Sequence, residues 1–351
     1  MRILIIRSSA IGDVVFASPF ATALRRTHPD AHIAWLAEPG IHELLAADPA
    51  LDEVIVWPKG EWQKLWREGR RIELWRAVRA FRAKLRERAF DVVYDLQGLA
   101  KSGFLAWLTG AQRRVGLGSK EGSALLMDEV VERGGDKALI GSEYRHLAEH
   151  LGLDLGEFLP RLHVDPAAEQ KVLALLAEHG LAPGRYAVFA PFTTRPQKHW
   201  TVAAWQALAP RLIAETGLVP VILGGPGDAE AAAGIAAADP RIVNLTGRTR
   251  LPEAVAAIRH AALLIGVDTG LTHMGAAFAT PTVALFGSTC PYLDNGRANA
   301  RVIWLAKPCS PCRRRPTCGG SFHCMGDITP AHVLATARGV LGAPHPQEQH
   351  A

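Results

Sequence analysis

Arg2-Ile3-Leu4-Ile5-Ile6-Arg7-Ser8-Ser9-Ala10-Ile11-Gly12-Asp13 is the stretch whose reading decides the fold. Four apolar residues between two arginines are too few for a signal-peptide core, and no small-residue cleavage site follows them. They read instead as a β-strand over Ile3 to Arg7. A turn of small residues comes next, then a helix from about Asp13 to Arg26. Strand, tight turn and helix in that order form the opening unit of a parallel α/β sheet.

The same grammar continues outward from this unit. Further strands are expected at His32 to Leu36, Glu53 to Trp57 and Asp91 to Leu96. The segment between Glu61 and Ala89 reads as helical, with Leu65, Ile72, Trp75, Val78, Phe81 and Leu85 on an apolar stripe. A second series of strands is expected at Tyr186 to Ala190, Val219 to Leu223, Ile242 to Leu245, Leu263 to Val267, Thr282 to Phe286 and Val302 to Leu305. Helices such as Val202 to Glu215 fit between them. The 351 residues exceed what one hydrophobic core usually supports. The reading is therefore two Rossmann-like domains, residues 1–164 and 165–342, with parallel sheets facing a central cleft, and a polar tail over 343–351. Ligands of such sheets bind beyond the carboxyl ends of the strands.

Hydrophobic residues make up 48% of the chain and charged residues 21%, which excludes a disordered or fibrous protein. No apolar run approaches the ~18 residues that span a bilayer, so a cytoplasmic location is expected. The net charge of +5 is unevenly placed. Between Lys59 and Arg88, eleven basic residues face four acidic ones, a local +7 that leaves −2 for the rest of the chain. That segment is either a solvated helix face or a surface for phosphate, a membrane or nucleic acid.

Three strand-end stretches carry candidate chemistry. Asp13 falls at a helix N-terminus, where it is either a cap or a general base for a hydroxyl nucleophile. In Ala190-Pro191-Phe192-Thr193-Thr194-Arg195-Pro196-Gln197-Lys198-His199-Trp200, two hydroxyls, an arginine and a lysine are suitable donors to phosphate oxygens. The alternative is a polar surface loop with Thr201 capping the next helix. In Val267-Asp268-Thr269-Gly270-Leu271-Thr272-His273, a buried strand ends on an aspartate and a helix of small residues begins. Its free amides suit an anion, and Asp268 is either a cap or an acceptor from sugar hydroxyls. The Gly224-Gly225-Pro226-Gly227-Asp228 turn lacks the dinucleotide spacing, and there is no Walker-type loop.

These stretches, together with Asp95-Leu96-Gln97-Gly98-Leu99-Ala100-Lys101-Ser102, resemble glycosyltransferase family 9, the lipopolysaccharide heptosyltransferases, over nearly the whole chain. The stretch from Gln97 to Ser102 is most similar to the type I branch, which adds the first heptose to Kdo. The resemblance implies a GT-B fold and an inverting, metal-independent transfer from ADP-heptose to the Kdo-lipid A inner core. Asp13 would be the catalytic base, and Lys198 would stabilise the departing diphosphate. The donor site would comprise Thr193, Thr194, Lys198, Asp268, Thr269, Gly270, Leu271 and His273. The acceptor side would comprise Ser9, Gln97, Lys101 and Lys64. The type I pattern carries a ribose-binding glutamate where this chain has Gly225 to Asp228, leaving Asp228 or Glu230 as substitutes. The partners implied are the donor, the lipid acceptor and the cytoplasmic surface of the inner membrane, with no nucleic acid. The basic segment, with Trp62, Trp66 and Trp75, suits such an interface.

Cys309, Cys312, Cys318 and Cys324 are spaced C-x2-C-x5-C-x5-C, with Cys290 apart. In a cytoplasmic chain they form either a structural zinc or iron site or a reduced, metal-free loop. A protein-modifying branch of the resembled family is associated with a four-cysteine iron site. Two other readings stay open. One is a GT-B transferase for a different nucleotide sugar or a later core heptose. The other is a non-catalytic sugar-nucleotide binding protein.

Overall fold

The computed structural model describes residues 1–289, 292–312 and 315–343. The chain divides into two units. The first comprises Met1–Asp136 and Gly141–His163, the second Lys137–Ile140 and the chain from Val164 on.

The first unit is built on six strands: β1 (Arg2–Ile6), β2 (His32–Ala37), β3 (Glu53–Val56), β4 (Val92–Asp95), β5 (Arg113–Leu117) and β6 (Glu129–Val131). Its helices are α1 (Ile11–Thr27), α2 (Pro39–Leu45), α3 (Lys59–Arg67), α4 (Arg71–Glu87), α5 (Ala100–Thr109) and α6 (Ser142–His150). The strands run parallel in the order β3-β2-β1-β4-β5-β6. Ile5 of β1 is in register with Trp35 on one side and Tyr94 on the other. Ile3 to Ile6 are wholly buried, as a strand covered on both faces requires.

The second unit repeats the plan. Its strands are β7 (Tyr186–Ala190), β8 (Val219–Ile222), β9 (Val243–Asn244), β10 (Leu263–Val267), β11 (Thr282–Phe286) and β12 (Ala300–Trp304). Its helices are α7 (Pro166–Glu178), α8 (Val202–Thr216), α9 (Ala229–Ala236), α10 (Leu251–Arg259), α11 (Gly270–Phe278), α12 (His323–Gly326) and α13 (Pro330–Leu341). The parallel order is β12-β11-β10-β7-β8-β9, the same winding as in the first unit. Its core gathers Phe189, Trp200, Trp205 and Leu212 with Val333 and Leu334 of α13.

In each sheet the strand order reverses once, between β1 and β4 and between β7 and β10. A doubly wound sheet opens a crevice at that point because the connections on either side leave in opposite directions. Among the described residues, no helix is long and apolar enough to cross a membrane.

Several elements differ from the sequence reading. Strands β5 and β6 were not anticipated: β5 opens on two arginines and β6 is a three-residue edge. The single helix expected over residues 61–89 is two, broken after Arg67 where Gly69 takes a φ of 70°. On α4 the buried positions are Phe81 and Leu85, whereas Ile72 and Trp75 are exposed, so the apolar stripe splits between two faces. Lys137–Ile140 belongs with the second unit, where Ile140 N–H donates to the Asp294 carbonyl at 3.0 Å. The polar tail from Ala343 lies outside the described residues after that position, as does Cys290.

Candidate active site

In the first unit, the loops that follow β1 and β4 meet at the switch point. Asp95 ends β4 and is fully buried. Its Oδ1 accepts from the Gln97 and Gly98 amides at 2.9 and 3.1 Å, and its Oδ2 accepts from Ser102 Oγ at 2.8 Å. Burial pushes its carboxyl pKa up against these bonds. The turn needs glycine at 98, where φ is +65° and a Cβ would sit 2.4 Å from the Leu117 carbonyl oxygen. It aims the buried Gln97 at the other loop, where Oε1 accepts from Ser8 N at 3.1 Å and Ser8 Oγ at 2.8 Å. Arg133 supports it by donating to the Gln97 carbonyl at 3.0 Å.

Asp13 stands in the first turn of α1. Its carboxylate accepts from the Ala10 N–H at 3.2 Å, so the capping role is real. The side chain is nevertheless 52% exposed, and its Oδ2 is paired with the guanidinium of Arg7, which is only 9% exposed. Capping therefore does not consume the group. Burial would lower the Arg7 pKa, but Tyr144, Asp13 and Glu143 around it more than offset this and keep the guanidinium charged.

Lys101 Nζ donates to Ser9 Oγ at 3.5 Å and lies 3.8 Å from Glu38. Lys59 pairs with the same carboxylate at 2.9 Å, and both ammonium groups lie 5.9 Å from the Trp57 ring centroid. Burial and the charge of Lys59 hold the Lys101 pKa below its ordinary value. Two ammonium groups share the Glu38 carboxylate beside Ser9, and Glu121 also acts on Lys101. Ser9, Gln97 and Lys101 are thus brought together. Lys64 belongs instead to the α3–α4 hairpin, where it pairs with Glu68 at 3.9 Å and lines a groove of about 440 Å³ with Arg70 and Arg76. Sequence reasoning gave Arg7 and Glu38 no role and took Lys59 only as part of the basic segment. Arg7 was in the quoted motif, but a buried cation under a half-exposed carboxylate is visible only in three dimensions.

In the second unit, the loops after β7 and β10 meet in the same way. Lys198 Nζ lies 2.6 Å from Asp268 Oδ2 and donates to the Asp268 carbonyl at 3.4 Å. His273 Nε2 lies 3.1 Å from Oδ1. Burial would raise the Asp268 carboxyl pKa, but His273 and Lys198 outweigh it and hold it well below the usual carboxylate range. Asp268 is not the helix cap: the N-cap of α11 is Thr269, whose side chain makes no capping bond. The first amides of α11 are thus not capped by the Thr269 side chain, and Lys198 lies next to them at Asp268. Close approach of β10 to this helix requires Gly266, where a Cβ would meet Thr272 Oγ1 at 2.1 Å and the Ala190 Cβ at 2.9 Å. Thr193 is half-buried and its carbonyl bonds His199 Nε2 at 2.8 Å, while Thr194 is exposed. Thr201 does cap α8, accepting from the Ala204 amide at 3.2 Å. Asp228 accepts from the Gly225 amide at 2.8 Å, which closes its own turn.

The family model of glycosyltransferase family 9 (heptosyltransferase) matches residues 78–323. Lipopolysaccharide heptosyltransferase 1 of Pseudomonas aeruginosa is 32% identical over 320 residues, covering 91% of this chain and 87% of that protein. The chain belongs to glycosyltransferase family 9. Lipopolysaccharide heptosyltransferase 2 of Salmonella typhimurium is 29% identical over 356 residues, covering 97% of this chain and 99% of its own. Among solved structures, E. coli heptosyltransferase WaaC with ADP-2-deoxy-2-fluoro heptose superposes with a TM-score of 0.73 at 26% identity, covering 97% of this chain and 99% of that one. The fold is accordingly GT-B, with two Rossmann-like units, and the protein is a glycosyltransferase of the heptosyltransferase family.

The cysteine spacing does not translate into a metal site. Among the described residues, no group of three or more His, Cys, Asp or Glu side chains is arranged to hold a metal ion. Cys324 is taken up in the hydrophobic core of the second unit, whereas Cys309 is exposed. The expected zinc or iron is therefore not supported.

Proposed function

We propose that this family 9 enzyme transfers heptose from ADP-heptose to the Kdo of Kdo-lipid A, with inversion, on the cytoplasmic side of the inner membrane. The observation that carries the reading is the half-exposed Asp13 carboxylate, held from beneath by buried Arg7 on the same loop as Ser9, which Lys101 contacts. Lys59 and Lys101 supply ammonium groups for the anionic groups of such an acceptor. Its hydroxyl oxygen attacks the anomeric carbon while Asp13 takes the hydroxyl proton. The bond from that carbon to the diphosphate oxygen breaks in the same displacement, and ADP leaves with the electron pair. A single displacement inverts the anomeric centre.

The charge that builds on the diphosphate meets Lys198 and the uncapped amides of α11, with Thr193 and Thr194 in reach of its oxygens. Asp268 and His273, with Thr269, Gly270 and Leu271 around them, take the sugar and phosphate. This electrostatic set supplies what a divalent cation supplies in other transferases, and we assign no metal to the reaction. The donor assignment is supported by the ADP-heptose analogue carried by the E. coli relative. Choice of the first heptose over the second rests on the stretch from Gln97 to Ser102, since relatives of both types match at similar identity.

The test is transfer from ADP-heptose, read by product mass, to Kdo-lipid A with and without a first heptose already attached. Gain on the bare acceptor alone supports the type I assignment. Gain only on the heptosylated acceptor reassigns the enzyme to the later step, and donor binding without gain on either overturns the acceptor.

A further inference from the structure

The hairpin α3–α4 and the adjoining α5 bury one side well: Trp62, Leu65, Phe81 and Leu85 are all in the core. Their other side leaves large apolar groups in water. Trp66 is 60% exposed, Ile72 67%, Trp75 59% and Trp107 42%. Positions 72, 75, 79 and 82–83 follow the helical repeat, so α4 presents Ile72 and Trp75 on the face opposite Phe81 and Leu85. Trp107 stacks on Phe104 at 6.0 Å, which extends the apolar surface along α5.

Each exposed indole carries a guanidinium. Arg71 lies 3.4 Å from the Trp66 ring centroid, Arg79 5.3 Å from that of Trp75 and Arg82 5.5 Å from that of Trp107. Two of the hairpin's acidic groups are paired locally, Glu68 with Arg70 and Lys64, and Glu73 with Arg70. The result is a face on which indole rings and arginines alternate, within the segment that holds the whole positive excess of the chain. Indoles with arginines beside them suit the boundary of a bilayer, where rings settle at headgroup depth and guanidinium groups meet lipid phosphate.

We infer that this face of α3, α4 and α5 is a docking surface for an anionic phospholipid bilayer. The inference deepens the membrane-side reading above and rests on it for the cellular setting. It identifies the attachment as separate from the acceptor cluster at Ser9 and Lys101, and made to bulk phospholipid rather than to the sugar acceptor.

The test is sedimentation of the full chain with phosphatidylcholine vesicles, with or without phosphatidylglycerol, alongside quenching of tryptophan emission by brominated lipid. The variants are Trp66→Ala with Trp75→Ala, and Arg76→Gln with Arg79→Gln. All four side chains are exposed, and an unchanged thermal transition checks the fold. Expected are binding to the anionic vesicles only and quenching of the wild type. Each arginine removed should lower the partition coefficient roughly fivefold, and the double tryptophan variant should lower it roughly tenfold or more. Absence of binding to anionic vesicles overturns the inference, as does equal binding by the variants. Equal binding to heparin, lost in the arginine variant and kept in the tryptophan variant without quenching, also overturns it, in favour of a polyanion site. The vesicles contain no sugar acceptor, so failure here leaves the transfer reaction standing, and failure of the transfer assay leaves this result standing.

Discussion

Replacement of Asp13 by Asn separates chemistry from stability, because the structure gives the two effects different sizes. Asparagine keeps an oxygen for the Ala10 amide and so keeps most of the cap. What is lost is the charge opposite Arg7. Removing one partner of a fully buried pair costs about 3–5 kcal/mol. Here the carboxylate is half exposed and Glu143 remains nearby, so the cost should be about 1 kcal/mol. A change of that size lowers the thermal midpoint by about 2–4 °C in a unit of this length. It leaves the protein folded, given total stabilities of about 5–15 kcal/mol. A general base contributes about 10²–10⁴ in rate, or about 3–5 kcal/mol of barrier. The variant should therefore lose at least a hundredfold in kcat while melting only a few degrees lower. Donor affinity should be unchanged, because the donor loops follow β7 and β10. The assay is single-turnover transfer, with calorimetry of ADP binding and a melting curve on the same preparation. A loss in kcat below tenfold would remove Asp13 from the role of base. A large loss that tracks unfolding would show that its role is structural.

Lys198→Ala should lower kcat roughly 10²–10³-fold in single-turnover measurements, with a smaller change in donor affinity if its main work is on the departing diphosphate. Gly266→Ala should destabilise the protein by about 1–3 kcal/mol in urea unfolding, because the added methyl overlaps Thr272 and Ala190. Asp268 is held below its ordinary range, so its stabilisation is complete above the unfolded value of about 3.9 and is lost as pH falls through the folded value. Stability measured from pH 7 to pH 3 should fall less steeply in Asp268→Asn than in wild type at the acid end. Transfer activity should persist in excess EDTA, and its loss with recovery on adding a divalent cation would overturn the metal-free reaction.

The two sheets were legible because parallel strands covered on both faces must be written as unbroken apolar runs, and Ile3 to Ile6 or Leu263 to Val267 leave no other reading. The elements that were missed obey a different rule. Strand β6 is a short edge whose sequence carries little burial signal, and β5 begins in arginines that pair with Asp128 and Glu129 at its open end. Helix α4 misled because its exposed face and its buried face are both written in apolar letters. Period alone gives Ile72 and Phe81 the same weight. The cysteine spacing left a metal site and a reduced loop both open, and the structure places Cys324 in the hydrophobic core, with no metal-holding group among the described residues.

The site was legible as loops but not as a circuit. Arg7, Asp13, Gln97 and Lys101 lie on two separate stretches, as do Lys198, Asp268 and His273. What joins them is the single reversal of strand order in each sheet. That reversal brings the loops after the first and fourth strands of each unit together, whatever their separation in sequence. The shared winding also explains the division of labour. Each unit has one crevice at its switch point, and the two differ in what lines them. In the first, a half-exposed carboxylate is paired with a buried cation and two ammonium groups share a carboxylate alongside, which we propose as the setting for taking a proton from the acceptor hydroxyl. In the second, the carboxylate is tied up by lysine and histidine beside uncapped helix amides, a setting for holding and releasing a phosphate. On the proposed mechanism the same topology serves a base in one unit and a leaving-group site in the other, because the residues at equivalent strand ends pair their charges differently.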